Sequence, residues 1–294
     1  MFVNNKWGFN IAGKQYKNRI IAAGVLILLF TLGMAIDEGD YLASKHTSAA
    51  VYLQVYTAFL LLLVYIVPFC ILMKRLCKKY ESSGFELLIA VACGAFIPAA
   101  FAGEINDGFS GLMRHLMGRA YSDAWLGSAE TGVVEELLKL GTVALLVYLF
   151  SRKSRQDYLS IGMSVGMGFQ IEEDFSYITE SGFKHVSEAF PTALDRIVGA
   201  LGSHWAYTGL TAVGLYLIVR SRGDHHVRQG VFWILFVMVN HFLYDSPIGN
   251  VNLFSALLTV AVLLPVIVFL KDCGEKPGGG AADNASGEYS GLVK

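Results

Sequence analysis

The sequence predicts an all-α membrane protein, a polytopic bundle of about eight transmembrane helices. Of its 294 residues, 54% are hydrophobic and only 16% are charged, and the mean hydropathy is +0.49. Soluble domains carry about 25% charged residues. Long apolar runs recur with short connections and only 6 prolines. We therefore expect a single membrane domain over residues 1–272, followed by a disordered tail over residues 273–294.

The apolar runs follow a polar, basic leader over residues 1–19. A signal peptide is the alternative for the first run, with a cleavage site near Gly33 and Ala35, but the leader is long for one. A membrane-spanning helix needs about 17–25 residues. The predicted spans are 20–36, 49–73, 84–102, 130–150, 158–178, 197–219, 229–246 and 252–270.

The placement of lysine and arginine predicts the orientation of these spans. If the N-terminus is cytoplasmic, the inner segments hold 17 of these residues and the outer loops hold four. Cytoplasmic loops are the ones enriched in positive charge. We therefore expect both termini, and with them the tail, in the cytoplasm.

Apart from Glu86, close to the cytoplasmic end of the third span, the charged residues and histidines inside the predicted spans lie on four consecutive helices, the fourth to the seventh. Each charge at a helix centre costs about 2.5–3.5 kcal/mol, so a helix that only anchors would not carry them. At a rise of about 1.5 Å per residue, most of them fall about 7–10 Å below the outer face. The residues are Glu135, Glu136, Lys139, Glu172, Glu173, Asp174, His204, His241 and Asp245.

Imidazole and carboxylate groups at one depth suit a divalent metal, and zinc in the first place. His241 and Asp245 are four residues apart, so both can point at one centre, or Asp245 can orient the His241 ring. The H-E-x-x-H pattern of soluble proteases is absent. A metal site would therefore be assembled across helices.

The position of Lys139 helps to predict which glutamate acts as the general base. Glu135 and Lys139 are four residues apart and can pair, whereas Glu136 sits about 100° round the helix. This spacing favours Glu136 as the freer group and general base, although the sequence leaves the choice between the two glutamates open. The plainer alternative is a buried structural ion pair.

Small residues on the fifth predicted span form a face that suits close helix packing. Gly162, Gly166 and Gly168 lie on it. Two interpretations are equally favoured: packing alone, or packing that brings Glu173 to its partners.

Four short patterns, taken in order, resemble the motifs of the PrsW intramembrane proteases. Glu135-Glu136-Leu137-Leu138-Lys139 resembles the E-E-x-x-K motif, and the stretch from Gly166 to Glu173 resembles G-x-G-F-x-x-x-E. Asp174 stands where an asparagine is usual. His204 resembles the third motif, and His241 with Asp245 resembles the fourth, H-x-x-x-D. The similarity covers about residues 130–246, and the wider superfamily includes the CAAX prenyl proteases.

The resemblance implies a metal-dependent intramembrane endopeptidase that cleaves membrane-anchored proteins such as anti-sigma factors. It implies Glu135 or Glu136 as the general base, and a divalent metal, zinc in the first place. The implied ligands are Glu173, His204 and His241, with Asp245 as a fourth ligand or an orienting group. It also implies a multi-pass protein of a prokaryotic plasma (inner) membrane.

Two other classes of protein remain as alternatives at this point. A cation- or proton-coupled transporter also buries carboxylates and histidines, but it favours a midplane site and inverted repeats. A non-catalytic membrane scaffold would keep the motifs for packing only. The expected partners are a membrane-anchored protein substrate and the lipid bilayer, and no basic nucleic-acid motif occurs.

Overall fold

A computed structural model describes residues 6–43, 48–80, 83–220 and 223–272. These ranges form an all-helical bundle with no strand, which confirms the predicted fold class. The predicted tail, 273–294, lies outside the described residues. The α-helices are α1 (Lys6–Ala43), α2 (Ala49–Phe59), α3 (Leu63–Tyr80), α4 (Gly84–Gly94), α5 (Ala100–Met117), α6 (Arg119–Tyr121), α7 (Gly127–Leu149), α8 (Arg155–Lys184), α9 (Ala189–Gly199), α10 (His204–Arg220), α11 (Asp224–Asp245) and α12 (Asn252–Asp272).

Short segments of different helical pitch join several of these helices without a loop. A 3₁₀ turn, Leu60–Leu62, links α2 to α3, and a π-helical turn, Ala95–Ala99, links α4 to α5. The second segment contains Pro98, which has no backbone N–H to donate to a regular α-helical ladder. Each pair of helices therefore continues as one long rod.

Five helical stretches among the described residues are long and apolar enough to cross a membrane. They are Gln15–Gly39, Ala49–Lys79, Gly84–Met117, Asp224–Asp245 and Asn252–Lys271. By contrast, α7 and α8 carry the clustered carboxylates, and α10 has only 17 residues. Length and composition alone therefore do not mark these three as spans. Each predicted span overlaps a long helix, while the count of eight and the orientation of the termini stay predictions.

Helix α8 occupies the centre of the bundle. Its residues from Tyr158 to Gln170 are all buried, and it packs against α10, α4 and α7. The helix begins with a capping box: Ser154 Oγ accepts from the Asp157 backbone N–H, and Asp157 accepts from the Ser154 N–H, each at 3.1 Å. Glu172, Glu173 and Asp174 directly follow this buried stretch, just past the middle of the helix.

The glycines of α8 allow neighbouring backbones to touch. A Cβ atom at Gly168 would lie 1.9 Å from the Val91 carbonyl oxygen of α4, and one at Gly166 would lie 2.2 Å from the His204 carbonyl oxygen of α10. No side chain fits at either distance. The small-residue face therefore does more than fill the core, because Gly166 sets the position of the first residue of α10.

The segments that join the predicted spans on the outer side are largely helical. Residues 103–129 contain most of α5 and all of α6, and residues 179–195 contain the end of α8 and half of α9. The predicted sixth span began at residue 197, but the chain breaks at a 3₁₀ turn, Ala200–Gly202, and α10 begins only at His204. Apolar composition continues through this turn, so hydropathy alone does not reveal the break.

Replacing Gly166 by alanine should lower stability by about 1–3 kcal/mol, the usual cost of overpacking a close contact. Because the added methyl group meets the His204 backbone, any activity that depends on His204 should fall as well. Thermal unfolding of the detergent-purified protein measures the first effect. Gly141→Ala is the matched control, since nothing lies within 4 Å of a Cβ there. Equal unfolding temperatures for the two variants would contradict the close-contact explanation.

Candidate active site

One carboxylate and two histidines meet where α7, α10 and α11 approach each other. Glu135 Oε2 lies 3.9 Å from His204 Nδ1 and 3.8 Å from His241 Nε2. The ligand atoms of the three residues all lie within 4.8 Å of one another, and all three side chains are buried. Within the described part of the chain, this trio is the group of side chains placed to hold a metal ion.

Each histidine also contacts a second carboxylate. His204 Nε2 lies 3.0 Å from Glu173 Oε2, and His241 Nδ1 lies 3.2 Å from Glu136 Oε1. His204 Nδ1 faces the ammonium of Lys139, which can only donate. His204 Nε2 therefore carries the ring hydrogen, and it donates a hydrogen bond to Glu173. Carboxylates that hold the outer nitrogen of a ligating imidazole fix its tautomer and its orientation.

Two other predicted acidic residues, Asp245 and Glu172, differ in the partners that they contact. Asp245 Oδ2 lies 3.2 Å from His241 Nε2, and its side chain is 34% exposed. Glu172 accepts a hydrogen bond from Ser176 at 2.8 Å. The structure therefore brings Asp245 beside the trio, whereas the hydrogen bond of Glu172 is to its own helix.

Lys139 is fully buried at the base of the site. Its Nζ lies 3.1 Å from Glu135 Oε2, 2.8 Å from Glu136 Oε1 and 2.8 Å from His204 Nδ1. The predicted pair of Glu135 with Lys139 is confirmed. The prediction that Glu136 is the freer glutamate is wrong, because residues three apart also share a helix face and Lys139 approaches Glu136 more closely.

A cavity of about 870 Å³ gives access to the trio. Its wall includes Glu135, His204 and His241, together with Glu173 and Asp245. Glu136 is not part of this wall and is 0% exposed. Of the two adjacent glutamates, Glu135 is thus the one that a molecule in the cavity can reach.

Arg196 is a component of the site that sequence reasoning missed. Its guanidinium pairs with both Glu173 and Asp174 of α8. Asp174 also accepts from Tyr65 Oη and from Gln170 Nε2, each at 2.9 Å. The sequence placed Arg196 only at the edge of a span, 22 residues from Asp174. An arginine beside a run of apolar residues was the one available signal, and it did not identify a partner.

The charges of the connected network fit a divalent cation. Among the described residues of this network, five carboxylates share two permanently charged cations, Lys139 and Arg196. One buried carboxylate oxygen, Glu136 Oε2, has no hydrogen-bond partner. Buried negative charge in excess is costly unless it is paired or coordinates a metal. The donor set of imidazole and carboxylate is also one that zinc accepts.

Comparison with protein families agrees with this geometry. The model of the PrsW family, described as intramembrane metalloproteases, matches residues 85–270. This chain belongs to the PrsW family. No curated protein and no solved structure matches it. The match extends beyond the motif-bearing residues 130–246 at both ends, and it includes α4, α5 and almost all of α12.

Family membership decides the class of activity. The protein is an intramembrane metalloprotease, a hydrolase that acts on peptide bonds within a membrane. This result removes the transporter and scaffold alternatives. It also implies a metal, for which the buried trio provides a candidate site.

Removing Lys139 should expose how its charge is shared. Lys139→Met leaves two buried carboxylates without their cation and should cost about 3–5 kcal/mol of stability. Adding Glu136→Gln should recover more than adding Glu135→Gln, because Glu136 is the more deeply buried and more closely paired partner. Chemical or thermal unfolding of the single and double variants measures the difference. Equal recovery would contradict the unequal sharing of the lysine.

Proposed function

We propose that this PrsW family protein cleaves membrane-anchored proteins, such as single-span anti-sigma factors, near the extracytoplasmic face of a prokaryotic plasma membrane. Zinc is the proposed metal. The observation that carries the proposal is a polar cavity that leads to a buried carboxylate and two histidines. Such a cavity admits water and an unwound peptide to groups that can hydrolyse it.

His204 and His241 are the proposed nitrogen ligands, and Asp245 is the proposed oxygen ligand beside His241. Glu173 was expected from the resemblance to be a ligand. We assign it instead to orienting His204, because its Oε2 accepts a hydrogen bond from His204 Nε2. Glu136 orients His241 in the same way through Nδ1. His241 then keeps Nε2 for the metal and Nδ1 for an outer carboxylate. His204 offers Nδ1, which accepts from the Lys139 ammonium at 2.8 Å, so metal binding there requires that ammonium to turn towards Glu135 and Glu136.

Glu135 is the proposed general base. When bound, the metal supplies Lewis-acid chemistry, which polarises a peptide carbonyl and makes a water molecule easier to deprotonate. Glu135 is suited to accept the water proton because its carboxylate faces both the cavity and the two histidines. Lys139 stabilises the ionised carboxylate from the other side. Glu136 is closed off from the cavity and cannot reach a substrate water.

The walls of the cavity suit a peptide that has left its helix. A transmembrane substrate satisfies its backbone hydrogen bonds within its own helix, so it must unwind before a carbonyl can reach the site. Helix α5 contributes Asn106 and Ser110 to one part of the wall, and α8 contributes Ser176 and Tyr177 to another. These side chains can accept or donate hydrogen bonds to the freed peptide groups.

Substitutions should separate the ligands from the base. His204→Ala and His241→Ala should each reduce bound zinc from about one per chain towards zero. Glu135→Gln should keep the metal and abolish cleavage, because the amide cannot accept the proton. Metal analysis of the purified protein and a cleavage assay in membranes measure the two effects. Glu86→Gln, which removes a carboxylate paired with Arg152 far from the cavity, is the control that should retain metal.

Two results would change these assignments. Loss of zinc in Glu135→Gln would make Glu135 the third ligand instead of the base. Stoichiometric zinc in a variant without both histidines would exclude this site altogether.

The position of the cut tests the proposed depth of the site. The candidate residues were placed about 7–10 Å below the outer face from the helical rise. Co-expression with tagged single-span proteins, followed by mass spectrometry of the product termini, should locate cuts in the outer part of the substrate helix or just outside it. Cuts confined to the cytoplasmic half would contradict this placement, even for an active protease.

A further inference from the structure

Arg196 is a charged group of the cavity wall that the proposed catalytic roles leave unused. It lies on α9, and its guanidinium reaches the two adjacent acidic residues of α8, Glu173 and Asp174. The carbon of the guanidinium also lies 4.5 Å from the centre of the Tyr177 ring. The Arg196 side chain is 25% exposed and that of Asp174 is fully buried. These contacts hold the guanidinium on three sides.

We propose that Arg196 is a positioning residue that fixes the orientation of the His204 imidazole through Glu173. One carboxylate oxygen links the two groups, since Glu173 Oε2 accepts from Arg196 Nη2 and also from His204 Nε2. Without the guanidinium, the Glu173 side chain would lose the charged partner that holds it in this rotamer. The inference rests on the proposed role of His204 as a metal ligand.

The contacts of Asp174 show why the guanidinium can act as a fixed point. Asp174 accepts hydrogen bonds from Tyr65 of α3 and from Gln170 of α8. It therefore holds one side of Arg196 against two helices, while the other side of the guanidinium is left for Glu173. Planar guanidinium groups with several charge-assisted hydrogen bonds are well suited to such a geometric role.

The position of α9 along the chain supports the same role. Arg196 and His204 stand on either side of the turn that connects α9 to α10. The opposite face of α9 is apolar and exposed, with Leu194 at 55% and Val198 at 81%. Such a face suits the lipid interface. Arg196 is thus the polar link that ties this outer helix, and through the turn the start of α10, to the carboxylates of α8.

Nuclear magnetic resonance spectra of the histidine rings provide the direct test. With histidine side chains labelled with ¹⁵N, Arg196→Met should shift the ring signals of His204 and leave those of His241 nearly unchanged. The His204→Ala and His241→Ala variants assign the two sets of signals. Zinc affinity, measured by competition with a chelator, should fall about 10- to 100-fold, as is usual when a partner of a ligating histidine is disturbed. Arg196→Lys keeps the charge and should recover part of that affinity.

Two control variants separate positioning from general stabilisation. Lys184→Met breaks an exposed ion pair with Glu180 on the same helix as Glu173, and it should change neither the His204 signals nor the affinity. Asp174→Asn removes the other partner of Arg196 and should lower the unfolding temperature more than it changes His204. Unchanged His204 signals in Arg196→Met, or an equal change in Asp174→Asn, would overturn the proposal.

A double variant covers the case in which Arg196→Met does not fold. Arg196→Met combined with Glu173→Gln removes both charges of this pair, so only Asp174 loses its cation, and Asp174 keeps its hydrogen bonds from Tyr65 and Gln170. If Arg196 acts through Glu173, the double variant should match Glu173→Gln alone in its His204 signals, and a further change would overturn the proposal. A wild-type protein that binds no zinc would refute the metal assignment, whereas the ¹⁵N spectra would still decide the role of Arg196.

Discussion

The ammonium of Lys139 places one positive charge in contact with Glu135, Glu136 and His204. Two adjacent glutamates on one helix would repel each other, and His204 Nδ1 needs a donor in a dry interior. A single fully buried Nζ lies within 3.1 Å of all three. Breaking a buried pair is far more costly than the pair is worth, because an uncompensated charge remains. The arrangement of the site around α7 therefore depends on this lysine.

Charge compensation continues outward from Lys139 in a chain of contacts. Its partner His204 donates to Glu173, and Glu173 in turn is held by Arg196. On the other side, Glu136 contacts His241, which lies next to Asp245. Both ring nitrogens of His204 and both of His241 therefore face a charged group. The connected network still carries more carboxylates than cations, which is the condition that a divalent metal would relieve.

Close backbone contacts between helices also position the residues of this network. The glycines of α8 let α4 and α10 approach until carbonyl oxygens touch the helix, and Gly166 touches His204 itself. Buried packing of this kind fixes the distance between α8 and the start of α10, because no methyl group fits between them. A protease site assembled from separate helices needs such constraints, since no single helix holds more than one of its two histidines.

The sequence by itself determined the helical class, and it predicted the helices and the side chains that form the candidate metal site. Periodicity and apolar length are local properties, and the four motifs preserve their order along the chain. Only the tertiary structure decided that Lys139 is shared by both glutamates, that Glu135 faces the cavity, and that Arg196 joins the site. These relations depend on the rotation of each helix about its axis and on contacts between residues far apart in sequence. The break before His204 was hidden for a related reason: an apolar turn and an apolar helix have the same composition. Packing of the turn against α12, and of His204 against Gly166 of α8, decides between them.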